Sequence, residues 1–337
     1  MTPNKSRSYF QIVKLQYKKN KLAMAGFFMV IFLFTIAIFA DFIANDKPLL
    51  CKYNDNYYSP VVKEYFVEMG ITKWQKDFLN IEWKELEYEM VIWPPIPYLP
   101  TNLDFYSRFT GPGKNGHYLG TDQLGRDVLS GMIHGTRIAL LVGFVSMSIA
   151  ITIGVILGSL AGFMGGITDI IIQRMIEVMI TIPTFFLIIT VVAFYPHGGI
   201  WMIMVVIGMT GWTAIARFTR AEFLKTRNQD YVTAAVALGY SNIRTIFKHV
   251  LPNAIAPVMV SAAFGIASAI LIESSLSFLG FGVSATTVSW GSILSVARGA
   301  TYAWWLALFP GFAIFISVTT YNLVGEGLRD ALDPRLK

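Results

Sequence analysis

The sequence predicts an all-α membrane protein of six transmembrane helices, with an N-terminal interfacial helix and an extracytoplasmic insertion between spans 1 and 2. Three observations lead there. Of 337 residues, 54% are hydrophobic and only 14% charged, with a mean hydropathy of +0.54, whereas soluble domains carry about a quarter charged residues. Six apolar runs approach or exceed the length needed to cross a bilayer core of ~30 Å, about 20 helical residues. The lysines and arginines fall in the short loops between those runs, so the net charge of +6 reads as a positive-inside signature and not as nucleic-acid affinity.

Residues 1–21 carry six Lys/Arg and no acid. Tyr9, Phe10, Val13 and Tyr17 can form one face of an interfacial helix, with Lys14 and Lys18 turned to lipid headgroups. The first transmembrane helix is placed at 22–43. No small-x-small cleavage site follows its apolar run, so it reads as an uncleaved anchor. Basic flanks put the N-terminus in the cytoplasm.

Residues 44–116 are the insertion. The wider stretch 41–137 holds 13 acids and 10 bases, several tryptophans and the proline-rich run WPPIPYLP at 93–100. Its charges are too frequent for a span, and its aromatics predict a folded subdomain with helical pieces. The single cysteine, Cys51, can make no internal disulfide.

A second region, 117–337, follows, with spans at about 138–162, 178–195, 199–216, 254–272 and 303–323. Six spans place the loop 217–253 and the C-terminus on the cytoplasmic side. That loop has six Lys/Arg against two acids, which agrees with the charge rule.

Gly154, Gly158 and Gly162 share one helical face and predict close backbone packing, a device that Ser261, Gly265 and Ala269 repeat. Asp169, Arg174, Glu177, Arg217 and Glu273 are placed near the membrane interfaces. With no charge expected at mid-membrane, an ion-coupled carrier is disfavoured. No GxxxxGK[ST] is present, so the chain is not expected to bind or cleave ATP. The histidines, 117, 134, 197 and 249, are scattered and predict no metal site. No catalytic grouping or cofactor-binding pattern stands out.

The best-patterned polar break is DYVTAAVALGYSNIRTIFKHVLP, 230–252. Asp230 can cap a first helix containing Tyr231, Ala234 and Ala235; Gly239 offers a left-handed stop. Ser241 can cap a second helix with Ile243, Ile246, Phe247 and Val250 at helical spacing, closed at Leu251–Pro252. On pattern alone this is either a docking element or an amphipathic loop resting on the membrane.

Ala234-Ala235, Gly239 and Leu251-Pro252 resemble the EAA loop of ABC importer permeases, which docks into a separate ATPase subunit. His249 departs from that pattern, standing where a branched aliphatic residue is usual. HYLGTDQLGRDVLSGMIHGTRIAL at 117–140, ESSLSFLGFGVSATTVSWGSIL at 273–294 and NLVGEGLRDALDPRLK at 322–337 resemble the C-type permeases of dipeptide, oligopeptide and nickel importers. The stretch after Gly282 lacks the proline pair common in that family. The long insertion with WPPIPY is similar to the Yej-type subfamily, associated with uptake of microcin C and other peptides.

The resemblance implies the type I importer permease fold, with 230–252 as the ATPase-coupling loop. It also implies a heterodimer with a B-type permease, an extracytoplasmic peptide-binding protein, a peptide substrate and residence in the inner membrane. Within the 117–140 motif, Gly120 and Gly125 allow tight turns, and Asp122 and Asp127 can accept from turn N–H groups. Arg126 and Arg137 can pair with acids. With Thr121, these residues form either a structural cap over the span or a contact for the binding protein. An ion-coupled carrier and a membrane-anchored adhesion module remain the alternative functions.

Overall fold

In a bilayer only backbone that satisfies its own hydrogen bonds is tolerated, and the apolar runs fold accordingly as long helices. The computed structural model describes residues 9–79, 81–195, 198–282 and 287–332. The basic residues Lys5 and Arg7, His197, positions 283–286 of the stretch after Gly282, and tail residues 333–337 lie outside the described residues. The chain divides into two units. The first comprises Met1–Ile31, Leu141–Leu276 and Ile314–Lys337, the second Phe32–Leu140 and Ser277–Ala313.

The helices in chain order are α1 (Tyr9–Lys19), α2 (Lys21–Ile38), α3 (Ala40–Ile43), α4 (Pro60–Glu68), α5 (Val128–Met164), α6 (Gly166–Thr181), α7 (Thr184–Phe194), α8 (Gly199–Thr226), α9 (Asp230–Ala237), α10 (Asn242–Thr245), α11 (Leu251–Leu279), α12 (Trp290–Val296) and α13 (Trp305–Leu332). Among the described residues, α2, α5, α8, the run Asn242–Leu279 and α13 are each long and apolar enough to cross a membrane, and α6 with α7 makes a sixth if the bent pair is one span.

Four boundaries differ from the sequence expectation. Residues 178–195 are not one straight helix, because α6 and α7 meet at 79°. The proline explains it: the ring of Pro183 drives Ile182 out of the helical region, to φ −89° and ψ 121°. Helix α5 begins ten residues ahead of the expected 138, and α8 continues to Thr226 instead of stopping at 216. Helix α11 runs to Leu279, so Glu273 is a buried residue inside it and not a group at its end.

The second unit contains the insertion, which is not made of helical pieces alone. Strands β1 (Leu50–Tyr53), β2 (Asn56–Tyr58) and β3 (Met90–Ile92) form an antiparallel sheet of order β2-β1-β3. Asn54 and Asp55 both have positive φ, 49° and 60°, the requirement of a two-residue hairpin turn that keeps the strand twist. Cys51 is fully buried on β1, opposite Tyr58 and Val91. Phe78 stacks on Trp83 with centroids 5.2 Å apart and meets the Tyr58 ring edge-on at 4.9 Å. The proline-rich run is tied to the end of the first span: Ile96 N–H donates to Ile43 O (3.0 Å), and Asn45 N–H donates to Ile96 O (3.1 Å).

Asp41 joins three elements of this unit. It accepts from Arg137 Nη2 on α5 at 2.8 Å and from the Tyr65 hydroxyl on α4. Arg137 Nε also donates to Ala37 O at 2.9 Å. Burial, then the bond to the Asp41 carboxylate, pushes the Tyr65 hydroxyl up to about 12.

In the first unit, the three glycines of α5 pack on α8. A Cβ at Gly154 would lie 2.6 Å from Ile215 Cβ, one at Gly158 2.5 Å from Ala216 O, and one at Gly162 2.6 Å from Phe223 Cβ. Glycine is required because the facing atoms include backbone, which cannot retreat.

Candidate functional site

The 230–252 segment folds as helix, turn, helix. Helix α9 ends in a Schellman turn: Gly239 N–H donates to Val236 O (2.9 Å) and Tyr240 N–H to Ala235 O (3.2 Å). Gly239 has φ +79°, the left-handed conformation that glycine alone adopts without a Cβ penalty. Ser241 caps the second arm, its Oγ accepting from Arg244 N–H at 3.4 Å.

Two expectations are corrected here. Asp230 is not the cap of α9; Gln229 holds that position without a side-chain bond, and Asp230 is the first helical residue, where its charge still favours the helix N-terminus. Pro252 does not close the second helix. The chain passes from α10 through a π-helical stretch, Ile246–Val250, directly into α11, where Pro252 is the second residue. A proline lacks the N–H and crowds the carbonyl four residues back, and the wider π turn just before it accommodates both.

The segment is seated on α8. Val232, Ile246, Val250 and Ala254 share a buried cluster with Phe223 near the end of α8. Ala235 is buried, whereas Tyr231, Ala234, Gly239 and Pro252 are exposed and Leu251 half-buried. The apolar repeat read from the sequence therefore divides in two: Ile246 and Val250 face the core, while Ile243 (70% exposed) and Phe247 (51%) face outward. With Leu238, 74% exposed, they form an apolar outer surface flanking the glycine turn. His249 has its own place, its ring stacked on Tyr240 with centroids 5.5 Å apart, while Arg244 lies 4.3 Å over the other partner of that stack.

The 117–127 motif lies in the other unit and forms a rigid collar. Asp122 Oδ1 accepts from Leu124 N–H (2.8 Å) and Arg126 N–H (3.0 Å), and Oδ2 from Arg126 Nε (2.6 Å). Asp127 Oδ1 caps α5 by accepting from Ser130 N–H at 2.7 Å, and its Oδ2 is 2.8 Å from His117 Nδ1, with both side chains buried. Thr121 O accepts from Trp305 Nε1 at 3.0 Å. Gly120 has φ +81°, and a Cβ there would sit 2.6 Å from Thr110 O. The Gly125 position is closed by the Asp104 carbonyl. Among the described residues, no group of three His, Cys, Asp or Glu side chains is arranged to hold a metal ion.

Sequence reasoning placed Asp169 only near an interface and missed its partner. Arg220 reaches it from 51 positions away with two bonds of 2.6 Å. Nothing local in the sequence signals such a pair, because it depends on how α6 packs against α8.

Residues 154–337 match the family model described as binding-protein-dependent transport system inner membrane component. Residues 8–60 match the N-terminal TM domain of oligopeptide transport permease C. The chain is 34% identical over 326 residues to the inner membrane ABC transporter permease protein YejE of Escherichia coli K12, covering 95% of each. It is 42% identical over 226 residues to the di/tripeptide transport system permease protein DppC of Pseudomonas aeruginosa UCBPP-PA14, covering 67% of this chain and 74% of that one. It is 32% identical over 350 aligned positions to the peptidoglycan transport system permease protein YejE of Agrobacterium fabrum C58, covering 95% and 91%. The chain belongs to the family of binding-protein-dependent transport system inner membrane components: it is a multi-span permease subunit of an ATP-binding-cassette importer, works with a binding protein, and leaves ATP hydrolysis to a separate subunit.

Proposed function

We propose that this chain is the C-type subunit of a peptide importer and pairs with a homologous B-type permease. The termini and the 217–253 loop face the cytoplasm, and the 44–116 insertion faces the binding protein. The 230–252 segment docks into the ATPase, and nucleotide-driven closure moves it as a lever that rocks the spans between outward-open and inward-open states. The observation that carries this is the apolar outer surface around Gly239. Exposed apolar side chains on both arms of this loop suit contact with a partner, and the buried cluster beneath them ties any displacement to α8.

The names of the relatives, di/tripeptide transport for DppC and peptidoglycan transport for the Agrobacterium YejE, support peptides or peptide-bearing fragments as the substrate class. The collar fits a rigid face for the binding protein, since its acids and glycines are spent on fixing its own turns. The test is uptake of labelled trialanine into proteoliposomes holding both permeases and the ATPase, with ATP inside, binding protein outside and no ion gradient. ATP-dependent uptake is expected. Uptake that needs an ion gradient and ignores ATP would overturn the reading.

A further inference from the structure

The Asp169–Arg220 pair joins the helix carrying the coupling loop to the bent helix pair. Arg220 Nε donates to Asp169 Oδ1 and Nη2 to Oδ2, both at 2.6 Å, and the two side chains are only 29% and 20% exposed. Asp169 stands in the first turn of α6. Arg220 lies near the end of α8, beside Phe223, which packs against both arms of the coupling loop. Two other ion pairs of this unit, Arg174–Glu177 and Lys225–Glu222, each lie within a single helix.

We propose that Asp169 and Arg220 are positioning residues of the transport cycle: their bidentate contact makes α6 follow α8 when the coupling loop moves, and so delivers the movement to the bend at Ile182–Pro183. Further along, α6 and α8 meet through apolar side chains, Ile172 and Ile176 with Trp212 and Ala216. Such packing sets no single bond direction between the two helices. A forked guanidinium on a carboxylate fixes both distance and orientation, which a single point charge does not. Helix α8 is also held by α5, where a Cβ at Gly162 would meet the Arg220 carbonyl at 2.8 Å. Helix α8 is thus gripped by both neighbours; Asp169 also feels the charge of Arg227 just past the end of α8, but the bidentate bond is the one to Arg220.

The inference rests on the coupling-loop reading above, and the experiment separates the two. Asp169→Asn, Arg220→Lys and the exchange Asp169→Arg with Arg220→Asp are compared with the unaltered chain in the complete importer, reconstituted in proteoliposomes. ATPase copurification, ATP hydrolysed and trialanine imported are read together. Both single variants are expected to keep ATPase copurification within twofold and to lose at least fivefold in trialanine imported per ATP. Arg220→Lys keeps the charge and loses the fork, so its loss separates geometry from simple pairing. The exchange is expected to recover at least half of the ratio.

An unaltered ratio in either single variant overturns the proposal, as does an exchange no better than the single changes. Failure of the single variants to assemble, or to retain the ATPase, would assign the pair to folding or docking and overturn it equally. Absence of ATPase copurification with the unaltered chain would sink the coupling-loop reading itself, and this inference with it.

Discussion

Replacing Gly239 by valine perturbs the coupling loop at its turn and nowhere else. A Cβ at this position meets nothing within 4 Å, so no neighbour is displaced. The cost is the conformation alone: at φ +79° a residue with a Cβ is disfavoured by roughly 1–2 kcal/mol, with a β-branched side chain worse than most. At 1.4 kcal/mol per factor of ten, the native turn loses about 5- to 30-fold against other arrangements of its two arms. The two Schellman bonds resist that shift, and the buried cluster on α8 holds Val232 of the first arm and Ile246 and Val250 of the second, so the change falls on the exposed turn and on the angle it sets between the arms. The assay is ATPase copurification with binding-protein-stimulated ATP hydrolysis, at matched amounts of permease in the membrane. Gly239→Asn is the control, because asparagine visits the left-handed region more readily. Valine should lose most of the stimulation and asparagine little. Full stimulation with valine would refute the reasoning.

Gly158→Val should lower the thermal midpoint of the detergent-solubilised protein, since its Cβ would lie 2.5 Å from Ala216 O and overpacking costs about 1–3 kcal/mol; an unchanged midpoint would deny the close α5–α8 approach. In a Cys51→Ser background, Met69→Cys should label from outside in intact cells and Asn228→Cys only after permeabilisation, and the reverse pattern would invert the topology. Replacing 46–114 by a Gly/Ser linker should leave ATPase copurification intact and reduce uptake. Normal uptake of every peptide tried would make the insertion dispensable.

Much of this was legible in the chain because membrane helices announce themselves by length and composition. The glycines at 154, 158 and 162 showed their packing face through spacing alone, and Gly239 showed its turn because a helix former run stops there and a capping serine follows. What escaped has physical reasons. The sheet of the insertion is built from strands of three or four residues, too short and too charged at Lys52 for a period of two to emerge. The polar start of α5, residues 128–137, reads as loop by hydropathy, yet Asp127 caps it and Arg137 is held by Asp41. Pro252 reads as a stop, but a π turn carries the helix through it. Pro183 sits in an apolar run, where composition conceals the bend that its ring imposes on Ile182. The Asp169–Arg220 pair is tertiary and leaves no local trace.

The coupling role of the loop is tested most directly by contact. Single cysteines at Leu238 and Ile243, the most exposed apolar positions flanking Gly239, are introduced in the Cys51→Ser background and treated with a short thiol-to-amine crosslinker in the assembled importer. Both should join the permease to its ATPase, with a yield that changes between the nucleotide-free and ATP-bound states, while Met69→Cys on the insertion should give no such product. An importer that retains its ATPase and transports peptide, yet yields no crosslink from either position in any nucleotide state, would contradict it.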